Sequence, residues 1–246
     1  MNNNQTIEKL RQMRLHAMAE LHLQHVKNNK LNDATPDEYL TLLTEHEWES
    51  RQNQKVGRLI KQAEFRQKAD IAGVDHATQR NLDKNMFQRL ATLEFMNRNE
   101  NIIITGASGV GKSYLAQALG HQACITGCKV LYTNTARLFT RLKLSKTDGT
   151  YMKELNRLQH VELLILDDFG LQAFDSTSRE ILMDIIDERY NKTSTILLSQ
   201  IPVSVWYDII GEGTIADAIL DRIVNSSHRI VLKGESMRKG VLVSEN

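Results

Sequence analysis

Residues 106–113 read GASGVGKS, set between an apolar, β-branched run, NIIIT at 101–105, and a helical stretch that begins YLAQALGHQA. No other feature constrains the fold as tightly as this Gly-x-x-x-x-Gly-Lys-Ser spacing. It needs a strand that stops abruptly, glycines that let backbone N–H groups converge, and a helix whose N-terminus points into the same space. The candidate phosphate cradle comprises Gly106, Ala107, Ser108, Gly109, Val110, Gly111, Lys112, Ser113 and Tyr114. Its N–H groups from about Gly109 to Ser113 would face a triphosphate. Lys112 would reach the β- and γ-phosphates as a point charge, and the Ser113 hydroxyl would coordinate Mg2+. ATP and Mg2+ are therefore the expected ligands.

From Asn101 onward, short β-rich runs alternate with longer amphipathic stretches: NIIIT, KVLYT, VELLILD, STILLS and HRIVLK. Strands that alternate with helical segments predict an α/β fold, here a five-stranded parallel sheet with flanking crossover helices. The phosphate loop also asks for a second strand, beside the first, that delivers a carboxylate to the metal shell. LLILDDFG at 163–170 has that form. Asp167 is the expected Mg2+ partner, through water, because Mg2+ sheds its hydration reluctantly. Asp168 would polarise or orient the attacking water. Asp168, Phe169 and Gly170 also spell a protein-kinase signature. A kinase would need a glycine loop of different spacing, a β3 lysine and an H-R-D-type loop, none of which is present. The three residues are read as the exit of the strand.

The N-terminal third is helical in pattern. Ile7, Leu10, Met13, Ala17 and Leu21 recur at helical spacing, with Met18 on the same face, which predicts one amphipathic helix from Gln5 to about Lys30. A second helix, to about Phe65, opens with Thr35 as N-cap and Pro36 at its first position. The pattern weakens at IAGVD and returns through Leu82, Phe87, Leu90, Leu93 and Phe95. These breaks predict a small all-helical adaptor domain over 1–69 and an ATPase domain over 70–246, with 70–100 as linker and lead-in helix. The first residues lack a signal-like apolar core, and nothing approaches the roughly 18 apolar residues of a membrane span, so a cytoplasmic protein without membrane contact is expected. Cys124 and Cys128, four apart on a helical pattern with no further cysteine, read as packing thiols.

A formal net charge of +1 gives no global attraction to nucleic acid or anionic lipid, so such binding must rest on local patches. Two runs qualify. Arg51, Lys55, Arg58, Lys61, Arg66 and Lys68 face only Glu64 and Asp70; Arg137, Arg141, Lys143, Lys146, Lys153 and Arg157 face only Asp148 and Glu154. Either could be a solvated helix face or a phosphate-binding surface that takes duplex DNA without reading sequence.

GASGVGKS and LLILDDFG, the lead-in LATLEFMNRNENIIITG, the helix LLTEHEWESRQNQKVGRLIKQAEF and the tail GESMRKG together resemble the AAA+ ATPases. Within them the resemblance is to the branch of DnaA initiators, DnaC-type helicase loaders and IstB-like transposition helpers, and most of all to the last. It covers most of the chain. It implies an AAA+ domain with no C-terminal lid, since few residues follow Arg222. It implies a sensor at the end of STILLSQ, Gln200 with Ser199 second, against the alternative of an ordinary polar strand end. In AILDRIVN it implies an arginine finger, Arg222, acting on the γ-phosphate of a neighbouring subunit in a homo-oligomer; the alternative is a surface salt bridge with Asp217 or Asp221. Arg238 would be a second sensor at the nucleotide, a DNA contact or a solvated tail residue. The catalytic set is then Lys112, Asp168, Gln200 and Arg222. The second basic run, Arg137 to Arg157, falls where initiator-clade proteins insert a DNA-gripping helix.

The implied function is an ATPase that assembles on duplex DNA and recruits or stimulates a transposase. The alternatives are a DnaC-like loader on single-stranded DNA and, from another class, a small-molecule P-loop kinase. One departure bears on rate. Many AAA+ proteins carry Asp-Glu where this chain has Asp167-Asp168, and the side chain shorter by one methylene implies slow turnover.

Overall fold

The computed structural model describes residues 3–28, 34–77, 80–211 and 213–237. Contacts divide the chain into two units that meet in sequence at Arg58 and Leu59. In the first, the stretch expected to be one helix is two, α1 (Asn3–Gln12) and α2 (His16–Lys27). The break is a Schellman turn. Arg14 takes a left-handed φ of 61°, its N–H bonds the Arg11 carbonyl at 2.9 Å, and the Leu15 N–H bonds that of Leu10 at 2.8 Å. Glycine normally holds that position. Here the apolar spacing simply runs on across the turn, so periodicity alone hides it.

The start of α3 (Pro36–Gln62) is a capping box. The Thr35 N–H donates to Glu38 at 2.8 Å and the Glu38 N–H to the Thr35 hydroxyl at 3.4 Å, which satisfies two N-terminal donors. Further along α3, the buried Glu47 caps a different helix. Its Oε2 accepts from the N–H groups of Ala17 and Met18, at 2.9 and 3.1 Å, in the first turn of α2. Its Oε1 accepts from Arg51 at 2.8 Å, and Arg51 also donates to the Arg14 carbonyl at 3.0 Å. Glu47 thus closes the turn that splits α1 from α2.

The second unit begins earlier than the 69/70 boundary expected from the sequence. Leu59, Ala63 and Ala69 are buried in its apolar core, and the Ala63 carbonyl accepts from the Tyr132 N–H at 2.8 Å. Helices α4 (Lys84–Ala91), capped by Asp83, and α5 (Glu94–Asn97) lead into the sheet. The strands are β1 (Asn101–Thr105), β2 (Val130–Asn134), β3 (Leu163–Asp167), β4 (Ser194–Ser199) and β5 (Ser227–Val231). All pair in parallel, in the order β2-β3-β4-β1-β5. The five strands and their parallel pairing are as the sequence predicts. β3, however, is not beside β1. β4 lies between them, pairing Ile102–Thr105 on one side and Leu163–Leu166 on the other.

The crossovers are α6 (Lys112–Ile125), α7 (Thr135–Thr147) with α8 (Tyr151–Gln159), α9 (Ser176–Arg189), and α10 (Trp206–Ile210) with α11 (Gly213–Val224). Alternation along β1 sends Ile102 and Ile104 to one face and Ile103 to the other. The first face is covered by α4 and α6, the second by α7, α8, α9 and α11. Every residue of β3 and β4 is buried, as strands covered on both sides must be. Cys124, on α6, and Cys128, just past its end, form no disulfide; burial pushes Cys124 up to about 12, which makes it an inert packing group. Among the described residues no helix is long and apolar enough to cross a membrane.

Burial works against the charge on Glu47, but the Arg51 side chain and two backbone N–H groups outweigh it and hold the carboxyl below its ordinary value. A lowered folded pKa means that the stabilisation is present above the ordinary carboxylate range and is lost as pH falls through the lowered value. We predict that Glu47→Ala costs about 1–2 kcal/mol, the scale of a helix cap with its hydrogen bonds, and flattens the acid limb of the stability curve. Urea unfolding followed by Trp48 fluorescence in a Trp206→Phe background, between neutral and acidic pH, measures both.

Candidate nucleotide-binding site

The site forms where β1 stops. Thr105 ends the strand, and Gly106, Gly109 and Gly111 turn the loop with φ of 151°, 84° and 94°. A Cβ at Gly109 would collide with Ser236, so packing as well as torsion demands glycine there, whereas at Gly111 it would meet only the end of the Arg80 side chain and the left-handed torsion is the constraint. Gly111 hands the chain to α6, whose N-terminus carries Lys112 and Ser113. Lys112, nearly buried, donates to the carbonyls of Gly106 and Ala107, both at 2.7 Å.

Across β4 from the loop, Asp167 ends β3. The residue is 3% exposed and its carboxylate is well supplied with donors. Oδ2 accepts from the Ser113 hydroxyl at 2.9 Å and from the Tyr132 hydroxyl, and Oδ1 accepts from the Asp168 N–H at 2.9 Å. The Thr135 hydroxyl holds the Asp167 carbonyl at 2.8 Å. Burial, the hydrogen bond to Asp167 and that carboxylate's charge push the Tyr132 phenol up, so it stays a donor.

Asp168 takes a left-handed φ of 56°, and the turn separates the two carboxylates. Its Oδ2 accepts from the Asn134 amide at 2.9 Å, while the other end of the same amide caps α7 through the Arg137 N–H at 3.2 Å. Beyond the turn the Phe169 N–H bonds the Leu198 carbonyl at 2.8 Å. The Phe169 ring then packs against Trp206 and Phe174, with centroids 4.6 and 5.5 Å away. The phenylalanine of the kinase-like triplet is therefore a core residue.

Loop, α6 and both carboxylates open on one cleft of about 690 Å3, also lined by Gln200, Tyr114, Arg66, Arg80, Leu171 and Met237. Of the two sensor candidates, Gln200 is exposed to the cleft. Ser199 is fully buried, bonding the Phe169 carbonyl at 2.7 Å and the Ile201 N–H at 3.1 Å.

Three cleft residues, and the neighbour that holds Asp168, escape a motif-based reading. Tyr132 lies within the apolar run of β2, which offers no chemical hint, and Asn134, at the end of that strand, lines a separate recess beside α7. Arg80, in a weakly patterned stretch, is buried against the loop and donates to the carbonyls of Val110 at 3.2 Å and Asp75 at 2.6 Å. Arg66, which local charge counting groups with a DNA-binding run, lies in the cleft instead.

Arg222 lies away from this cleft. Its guanidinium pairs with Asp187 on α9 at 2.9 Å and lies 5.8 Å over the Tyr190 ring; its partner is thus neither Asp217 nor Asp221. The second basic run is largely compensated. Arg141 pairs with Glu154 at 3.4 Å, Lys143 with Asp175 at 2.7 Å, Lys146 with Glu180 at 3.1 Å, and Arg157 with Glu64 and Glu154 at 3.9 and 4.0 Å. Most of these acids come from other elements, so counting along the run overstates its surplus. Arg137 and Lys153 are exposed and form no ion pair with a described residue. Arg238 lies outside the described residues.

A family model described as IstB-like ATP binding protein matches residues 8–242. The insertion-sequence ATP-binding protein y4pL of Sinorhizobium fredii is 43% identical over 95% of this chain and 96% of its own length. The corresponding protein of IS1162 from Pseudomonas fluorescens is 37% identical over 81% of this chain and 87% of its own, and that of IS21 from Pseudomonas aeruginosa 32% over 82% and 76%. Among solved structures, DnaI superposes with a TM-score of 0.58 at 23% identity over 67% of this chain and 91% of that one. The replication initiator DnaA, bound to AMPPCP and single-stranded DNA, gives 0.57 at 19% identity over 70% and 52%. At such identities the structural likeness is one of fold.

The double use of the Asn134 side chain yields a prediction. Asn134→Ala loses the α7 cap and should be about 1 kcal/mol less stable than Asn134→Ser, which keeps a capping hydroxyl. Thermal denaturation of the two variants decides it; equal stability would remove the cap from the account.

Proposed function

The chain belongs to the IstB-like ATP-binding family of insertion-sequence proteins, and on that premise we propose that it is a Mg2+-dependent ATPase that assembles on duplex DNA and recruits or stimulates a transposase. The observation that carries this reading is the meeting, within 2.9 Å, of the Ser113 hydroxyl at the α6 N-terminus and the Asp167 carboxylate at the end of β3. Two hard oxygen donors at the mouth of an anion-binding loop fit a hydrated Mg2+. Bound there, the metal would supply neutralisation of charge on the β- and γ-phosphates.

The remaining work falls to the chain. Backbone N–H groups of the loop, with the positive end of α6, would receive phosphate oxygens. Lys112 would exchange the carbonyls of Gly106 and Ala107 for them. Asp168, held by Asn134 and opening on the same cleft, would orient a water, and Gln200 would position it from the neighbouring strand end. Arg222, directed away from its own cleft, suits a finger that completes the site of an adjacent subunit in a homo-oligomer.

DNA binding would fall to the second basic run. Arg137 and Lys153 are uncommitted to acids, and Arg141, Lys143, Lys146 and Arg157 would have to leave exposed pairs that are individually weak. The N-terminal unit exposes Met13, Leu40 and Trp48, apolar side chains that would be available to the transposase or to another copy of the chain.

Two outcomes test the reading. Asp168→Asn should bind ATP as the wild type does and lose hydrolysis by about 100-fold or more, the usual contribution of a positioned base; unchanged turnover removes Asp168 from the mechanism. ATP-dependent assembly, measured by sedimentation on duplex and on single-stranded DNA, should favour duplex. Its log–log salt slope should change by about −0.9 per phosphate neutralised. Preference for single strands would instead support a loader of the DnaC type, and affinity indifferent to salt would defeat the phosphate-contact surface.

A further inference from the structure

We propose that Arg66 is a built-in counter-ion of the metal site: it neutralises Asp167 when no metal is bound and is exchanged for Mg2+ when nucleotide arrives. The proposal rests on the reading of Ser113 and Asp167 as the metal side of the cleft.

An ionised carboxylate as buried as that of Asp167 needs positive charge nearby, because desolvation penalises its charged form. The Arg66 guanidinium stands 4.0 Å from Asp167 Oδ2, the same oxygen that takes the Ser113 and Tyr132 hydrogen bonds. It also lies 5.6 Å over the Tyr132 ring, a cation–π contact that fixes its approach to the carboxylate.

The backbone beneath it is anchored. Buried Gln117 accepts from the N–H groups of Arg66 and Gln67, at 2.7 and 3.2 Å, and donates to the Ser113 carbonyl at 2.9 Å. A residue of α6 therefore ties the segment that carries the cation to the residue that would hold the metal. The side chain is otherwise free to move, being 49% exposed. A half-exposed pair at 4.0 Å is weak and readily exchanged, whereas a divalent ion at the same oxygens carries more charge. Two cations aimed at one carboxylate oxygen compete, and each lowers the other's affinity.

The test uses the full chain saturated with ADP and titrated with Mn2+ as the metal probe, free Mn2+ being read by electron paramagnetic resonance. Arg66→Gln should bind Mn2+ about threefold to fivefold more tightly than the wild type, the size an exposed ion pair commonly has. Lys68→Gln, which removes an exposed charge two residues away, should leave Mn2+ affinity as it was. Unchanged or weaker Mn2+ binding by Arg66→Gln overturns the proposal, as does equal tightening in Lys68→Gln, which would reduce the effect to long-range charge. Failure of the wild type with ADP to bind Mn2+ at all overturns the metal reading of Ser113 and Asp167 itself, a result distinguishable from the other two.

Discussion

The carboxylate of Asp167 is the point at which the second unit is tied together. Its atoms accept from α6 through Ser113, from β2 through Tyr132 and from its own turn through the Asp168 N–H, while Thr135 at the start of α7 holds its carbonyl. A charge this deeply buried is tolerable only when its lone pairs are occupied and a cation is near. The site is therefore also a structural joint. The phosphate loop, the central sheet and the crossover after β2 cannot shift independently without leaving that carboxylate short of partners.

Similar economy appears around it. Asn134 caps α7 with one end of its amide and holds Asp168 with the other, so the helix bearing the exposed Arg137 shares a side chain with the proposed catalytic carboxylate. Arg189, almost wholly buried, donates to the Thr195 hydroxyl and to the carbonyls of Leu158, Val161 and Ser194. It thereby joins the end of α9 to the start of β4 and the end of α8, on the side of the sheet opposite the nucleotide cleft. Buried polar groups with complete sets of partners specify one packing, because any alternative strands them.

Legibility varied from element to element for physical reasons. The strands were clear because a strand covered on both faces must be apolar throughout, and Leu163 to Leu166 and Ile102 to Ile104 meet that demand locally. The break at Arg14 was hidden because a Schellman turn is a matter of backbone torsion, and without glycine nothing in the residue types announces it. Charge was the least legible property. Lys143 and Lys146 look uncompensated along their own helix, yet meet Asp175, the N-cap of α9, and Glu180 on that helix. Arg66 looks like one more member of a basic run, yet points into the nucleotide cleft.

Short-range spacing of residue types along the backbone was enough to set the phosphate loop, the strand that ends in Asp167 and Asp168, the five β runs and the helical character, though not the number, of the N-terminal segments. Packing across the fold set the rest: β4 separates β1 from β3, Tyr132, Arg66 and Arg80 line the cleft, Asn134 reaches Asp168 from beside it, and Arg222 turns away. Those arrangements depend on which side chains meet across tens of residues, and such meetings are settled by packing and by the need to satisfy buried polar groups rather than by any local period.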